Sequence, residues 1–277
     1  MLDGYVIFVL GVAMPLIIAA FHIEAEVVGL IGASLVLGAV IGAGIGGPMA
    51  DHLGRKKLML ADMIIIAAGA AVSALAKGPA MLFVGQLLVG IGVGVDFPVS
   101  SSYVSEILPE RSRARMMVAT IACQSVGMLV AAAITLLLLG TQSTHSWRLF
   151  LATEVAVALV FFLLRLSAPE SPHWLLSRGK FADAAEAFMR IVPGQREAVL
   201  RLTTDHEKLA VLASSAHGSL STLFSRRYRS RTALVAIPWF LMDIATYGVG
   251  LFTPTILGAI NTSATTGGLA AQDCRSK

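Results

Sequence analysis

The sequence predicts an all-α membrane protein built from a bundle of spanning helices, and three observations point there. Hydrophobic residues make up 56% of the 277 residues and charged residues only 14%, whereas a soluble domain carries about 25% charged residues. Much of the surface must therefore face lipid. The apolar residues gather into runs near the length, about 20 residues, that a helix needs to cross a bilayer. The basic residues gather in alternate connections between those runs.

Seven runs meet or approach the spanning length: 2–21, 27–50, 58–76, 80–104, 116–139, 147–166 and 232–259. None has the strong amphipathic period of a surface helix; they are apolar nearly all round, as membrane helices are. The 26 glycines suit close helix packing. The first run, which opens Met1-Leu2-Asp3-Gly4-Tyr5, lacks the basic start of a secretory signal and is read as a helix that stays. His22 and Glu24, beyond its far end, are expected to be solvated. The connection 51–57 holds Arg55, Lys56 and Lys57; 106–115 holds Arg111, Arg113 and Arg115; 166–231 opens near Arg178 and closes with Arg226, Arg227, Arg229 and Arg231. The alternate connections hold only Lys77. The positive-inside rule puts the basic loops and the N-terminus in the cytoplasm, and the expected location is the plasma (inner) membrane.

Four segments follow from this pattern: a six-helix transmembrane bundle over 1–166, a cytoplasmic linker over 167–231, a seventh transmembrane helix over 232–260 and a disordered tail over 261–277. In the linker, Phe181, Ala184, Ala185, Phe188, Met189 and Val192 recur at helical spacing while Arg178, Lys180, Asp183, Glu186 and Arg190 take the other faces. This predicts short amphipathic helices, one of them near 195–213, lying on the membrane surface. A flexible linker is the alternative.

Several function classes fall away. The net charge of +4 does not signal a nucleic-acid partner, because the basic residues sit in short runs with no stacking aromatics among them. The two cysteines, Cys123 and Cys274, form no CxxC or Cys/His cluster, so no metal site is expected. No Walker A loop, HExxH or nucleophile elbow occurs, and Gly90-x-Gly92-x-Gly94 lies inside a span rather than after a strand. Neither enzyme chemistry nor a cofactor is expected.

The sharpest motif is Gly47-Pro48-Met49-Ala50-Asp51-His52-Leu53-Gly54-Arg55-Lys56-Lys57. Gly47 would let another helix approach closely, Asp51 could meet a helix N-terminus or an Arg at the membrane edge, and Gly54 permits a tight turn. A plain topogenic loop would explain the basic residues, but not the Gly-x-x-x-Asp-x-x-Gly-Arg-Lys order. This segment resembles the signature loop between helices two and three of the major facilitator superfamily, with His52 where that family usually has Arg. Pro169-Glu170-Ser171-Pro172-His173-Trp174-Leu175 is similar to the sugar-porter motif after helix six. There the prolines would end the helix, Glu170 could pair with a loop Arg and Trp174 would anchor at the interface. Glu106 with Arg111, Arg113 and Arg115 resembles the matching charge cluster after helix four. The resemblance implies that Gly47, Asp51, Gly54, Arg55 and Lys56, with Glu106, Arg113 and Glu170, brace an inward gate rather than touch substrate.

Acids inside the spans form the third signal. Asp96 lies in Gly90-Ile91-Gly92-Val93-Gly94-Val95-Asp96-Phe97-Pro98, and Asp243 in Trp239-Phe240-Leu241-Met242-Asp243. A charged carboxylate at the bilayer centre costs about 2.5–3.5 kcal/mol on insertion scales, so such a residue usually faces a cavity and serves a substrate or a proton. The bland reading is a buried acid bonded to a neighbouring helix. Pro98 could open its helix and free backbone groups. Both segments, with Asp3-Gly4-Tyr5, resemble the phosphate:proton and metabolite:proton symporters of the same superfamily, although Val6 stands where that branch usually has a second Asp. The resemblance implies proton or substrate coupling by Asp96, Asp243 and Asp3. Gln86 stands where many relatives carry Arg. Gln124, Tyr103, Tyr247 and Gln86 are candidates for lining a cavity, though each is more often a helix–helix contact. Glu154 is another intramembrane acid, matched by no motif.

The resemblance implies the six-helix N-terminal half of a major facilitator superfamily fold plus the seventh helix, truncated, with a C-terminal half expected as partner. The expected function is secondary active transport, proton-coupled symport of a small polar solute such as a sugar, organic acid or inorganic anion. The alternative is a non-transporting membrane protein, either a nutrient sensor or an inactive truncated fragment.

Overall fold

The computed structural model describes residues 1–108, 110–139, 146–191 and 224–245, together with Thr253. Among these the chain is helical and contains no strand. The helices are α1 (Leu2–Phe21), α2 (Ala25–Leu53), α3 (Arg55–Ala74), α4 (Pro79–Ile107), α5 (Glu110–Leu139), α6 (Ser146–Leu166), α7 (Pro172–Ser177), α8 (Phe181–Ile191) and α9 (Arg229–Asp243). Six of them, α1 to α6, are long and apolar enough to cross a membrane. Of the seventh expected span, residues 232–245 and Thr253 are described. Its remainder, the helix expected near 195–213 and the 261–277 tail lie outside the described residues.

The expected connection 51–57 is not a loop. Helix continues to Leu53 and resumes at Arg55, so one residue, Gly54, makes the turn at φ 99° and ψ 153°. That left-handed backbone excludes an ordinary side chain. A Cβ there would also stand 2.6 Å from Glu170 Oε2. Pro98 does not open its helix either, because α4 runs through it to Ile107. Pro172 opens α7 at its first turn, where the missing N–H costs nothing.

Within the bundle α4 packs along α2 and α3, α3 along α6, and α1 against α5 and α6. The α2–α4 seam explains part of the glycine content. A Cβ on Gly38 would lie 2.9 Å from the Ile91 nitrogen, one on Gly90 would lie 2.9 Å from the Leu35 carbonyl carbon, and one on Gly94 would lie 2.7 Å from Ala39 Cα. Backbone meets backbone here, which lets dispersion contacts act over the whole seam. The apolar core joins Leu10, Met14 and Ile17 of α1 to Ile66 of α3, Val89 of α4 and Trp147 and Phe150 of α6. Phe21 closes one end on Trp147, ring centroids 5.5 Å apart.

Candidate functional site

At the end of the bundle that carries Arg55, the ends of five helices are tied together. Arg55 is buried. It donates to Glu106 Oε1 at 3.0 Å and to the Ala50 carbonyl at 3.1 Å, and it pairs with Asp51 at 3.0 Å. The Ser171 hydroxyl donates to the other Glu106 oxygen and accepts from the Trp174 amide at 3.3 Å, capping α7. Glu170 Oε1 accepts the backbone N–H of Lys56 at 2.9 Å, while Lys56 Nζ donates to the Leu166 carbonyl at 2.9 Å. Trp174 Nε1 and Arg178 both donate to the Asp51 carbonyl at 2.9 Å.

Four expectations change in detail. Glu106 takes its cation from Arg55, not from Arg111, Arg113 or Arg115. Arg113 is exposed, and no described residue forms an ion pair with it. Glu170 pairs with no described Arg or Lys; it caps the first turn of α3, whose N–H groups have no partner within the helix. Trp174 is buried against the α2–α3 turn rather than anchored at an interface. Gly47, expected to admit a neighbouring helix, meets nothing within 4 Å among the described residues.

Arg55→Ala should lower stability by about 1–3 kcal/mol, the cost of leaving a desolvated acceptor unpaired, because Glu106 is only 14% exposed. Asp51→Ala should cost under about 1 kcal/mol, as exposed pairs do, with Asp51 at 71% exposure. Thermal melting in detergent checks both. Equal losses for the two would contradict this division.

Further into the bundle, Asp96 of α4 is 6% exposed and pairs with Arg165 of α6 at 2.8 Å. The Ser100 hydroxyl donates to Asp96 Oδ1 at 2.5 Å. The same guanidinium reaches Asp62 of α3 at 3.3 Å and the Met59 carbonyl at 3.1 Å. Asp3 of α1 lies within electrostatic range of both Asp96 and Arg165. Asp62 and Arg165 were absent from the sequence reading although each sits inside an apolar run, Leu60-Ala61-Asp62-Met63 and Leu164-Arg165-Leu166. The rule that flagged Asp96, that charge inside a span is costly and purposeful, flags them equally.

The other candidates scatter. Gln124 is half-buried on α5 beside Gly4 of α1, one residue from Asp3. Gln86 is fully buried and donates to Ser73 of α3 at 3.2 Å, and the Tyr103 hydroxyl donates to the Pro169 carbonyl at 2.7 Å. Both therefore bond neighbouring segments rather than standing beside Asp96. Glu154, fully buried on α6, has no hydrogen-bond partner for either oxygen among the described residues. Asp243 is the last residue of α9, but its side chain, like Tyr247, lies outside the described residues.

A family model described as "Sugar (and other) transporter" matches residues 1–268. The chain belongs to this transporter family. Among its curated relatives is the inner membrane metabolite transport protein YgcS of Escherichia coli (strain K12), 32% identical over 87% of this chain and 53% of the relative. The arabinose-proton symporter of Bacillus subtilis (strain 168) is 27% identical over 92% of this chain and 56% of the relative. The chain thus spans about half the length of these curated relatives. Solved structures share the fold. The xylose transporter XylE from E. coli in its inward open conformation superposes with a TM-score of 0.70 at 18% identity, covering 92% of this chain and 61% of that one. Its partially occluded form gives 0.67 at 21% identity, covering 75% and 55%. A further XylE structure is described as a major facilitator superfamily proton:xylose symporter. The six long helices therefore form the N-terminal half of a major facilitator superfamily fold, and the chain is an integral membrane member of a family of transporters, not of enzymes.

Proposed function

We propose that the protein performs proton-coupled symport of a small polar solute of the sugar or polyol type, with the acid cluster around Asp96 as the proton-coupling element of its N-terminal half. The observation that carries this reading is a carboxylate 6% exposed in the bundle, paired with Arg165 and accompanied by two further acids, Asp62 and Asp3. A static helix contact would need one acid and one cation. An excess of acid fits a site that takes and gives a proton. The relatives named arabinose-proton symporter and probable inositol transporter support the solute class.

In this reading the network around Arg55 faces the cytoplasm at the plasma membrane and braces the inward gate. Gln124, beside the start of α1, reaches the solute. A second six-helix half carries the opposite wall, since substrate sites in such folds lie at the interface between repeats. Asp243 and Tyr247 contribute from the seventh helix.

The test is solute-driven proton uptake into proteoliposomes holding the full-length protein. Wild type should acidify the lumen when a pentose, hexose or inositol gradient is imposed. Asp96→Asn should abolish coupled uptake and retain solute exchange. Coupled uptake unchanged in Asp96→Asn would sink the role of this acid, and solute binding without flux would favour a sensor.

A further inference from the structure

Between α3, α4 and α6 the bundle encloses more negative charge than its one local cation can balance. The carboxyl groups of Asp62 and Asp96 both sit against the guanidinium of Arg165. Asp62 is 0% exposed and Asp96 6%, so water screens neither. Arg165 divides its guanidinium between them, one nitrogen at 3.3 Å from Asp62 and the other at 2.8 Å from Asp96. Asp3 adds a third carboxylate from α1, opposed by the amino group of Met1. The charges nearer the helix ends, Arg55 with Asp51 and Glu106, are occupied with one another. Two ionised carboxylates gathered on one guanidinium repel each other where the dielectric is low, and a shared proton removes that repulsion. With one proton the Asp62–Asp96–Arg165 group is neutral; without it the group holds a net negative charge in apolar surroundings.

We propose that Asp62 and Asp96 hold a single proton jointly, and that Arg165 is the positioning residue that keeps the two carboxyls together. The proton-carrying unit is then a pair of acids on two helices rather than Asp96 alone. No bond other than the O–H is made or broken, and the proton leaves to water when the pair is opened. Its use in transport rests on the symport reading above, but the pair itself can be examined without any flux.

The experiment is infrared spectroscopy of this chain in lipid nanodiscs, following the C=O band of protonated carboxylic acid across pH. A Glu154→Gln background removes the other fully buried acid among the described residues. That protein should show a band titrating as one proton, lost in both Asp62→Asn and Asp96→Asn, because either remaining carboxylate then has Arg165 to itself. Asp3→Asn should retain it. Arg165→Lys, which keeps the charge but cannot span both acids, should move the titration midpoint by about one pH unit while size-exclusion behaviour stays unchanged. No band at any pH, a band surviving Asp96→Asn or Asp62→Asn, or an unmoved midpoint in Arg165→Lys would each overturn the proposal. A band as expected together with no solute-driven proton uptake would support the pair and refute symport.

Discussion

Arg165→Leu should destabilise the protein by about 3–5 kcal/mol, the cost of stripping a buried charge of its partner. The guanidinium is the only cation within ion-pair distance of Asp62 or Asp96 among the described residues, and it also satisfies the Met59 carbonyl at 3.1 Å. Removing it leaves a carboxylate behind in an apolar seam and unties α6 from α3 and α4 in one step. A marginally stable fold loses most of its reserve to such a change. The measurement is the melting temperature and the monodisperse fraction in mild detergent. A triple variant, Arg165→Leu with Asp62→Asn and Asp96→Asn, should recover most of the loss, because removing every charge of a buried group is far less costly than removing one. Wild-type stability in Arg165→Leu, or no recovery in the triple variant, would show that the cluster is not electrostatically closed.

Gly94→Leu should have a comparable effect through shape alone. A side chain there starts 2.7 Å from Ala39 Cα, and backbone cannot turn aside as a flexible side chain can. The two helices must separate along the most extensive contact of the bundle. Overpacking a close contact costs about 1–3 kcal/mol and occasionally more. In a membrane, where lipid is as apolar as the helix, shape-matched packing is much of what holds helices together. Gly90→Leu should act alike from the Leu35 side, while Gly44→Leu, with nothing within 4 Å among the described residues, should leave melting unchanged. Thermal melting of the three variants side by side decides the matter; equal behaviour of Gly94→Leu and Gly44→Leu would refute the close-approach account.

The spanning helices were legible in the sequence because a bilayer imposes a length and a polarity that composition records directly, so 2–21 and 147–166 emerge within a residue of α1 and α6. The helix ends were less so. Residues 51–57 looked like a connection because they are polar, yet polarity there reflects position at one end of the bundle, not absence of helix. Asp96 was legible as costly, and its partner was not. Asp62 and Arg165 stand 103 residues apart in the chain, and nothing local encodes that antiparallel packing of α3 and α6 brings them level. Arg113 misled for the converse reason. It is nearer to Glu106 in sequence, but Arg55 is nearer in space, since Gly54 turns α3 back beside the end of α4. The buried Glu154 was visible as an intramembrane acid, but only the packing reveals that no described residue hydrogen-bonds to it.

The tie-points gathered about Gly54 carry a mechanical meaning. A single residue links α2 to α3, Glu170 rests against it, and Trp174 and Arg178 hold α7 to the same carbonyl. There is no slack in such a joint for one rod to slip past the next. If this half moves during a working cycle, it must swing like a door leaf pinned along one edge, carrying its charges with it. On the symport reading, the compliance would lie outside this joint rather than within it.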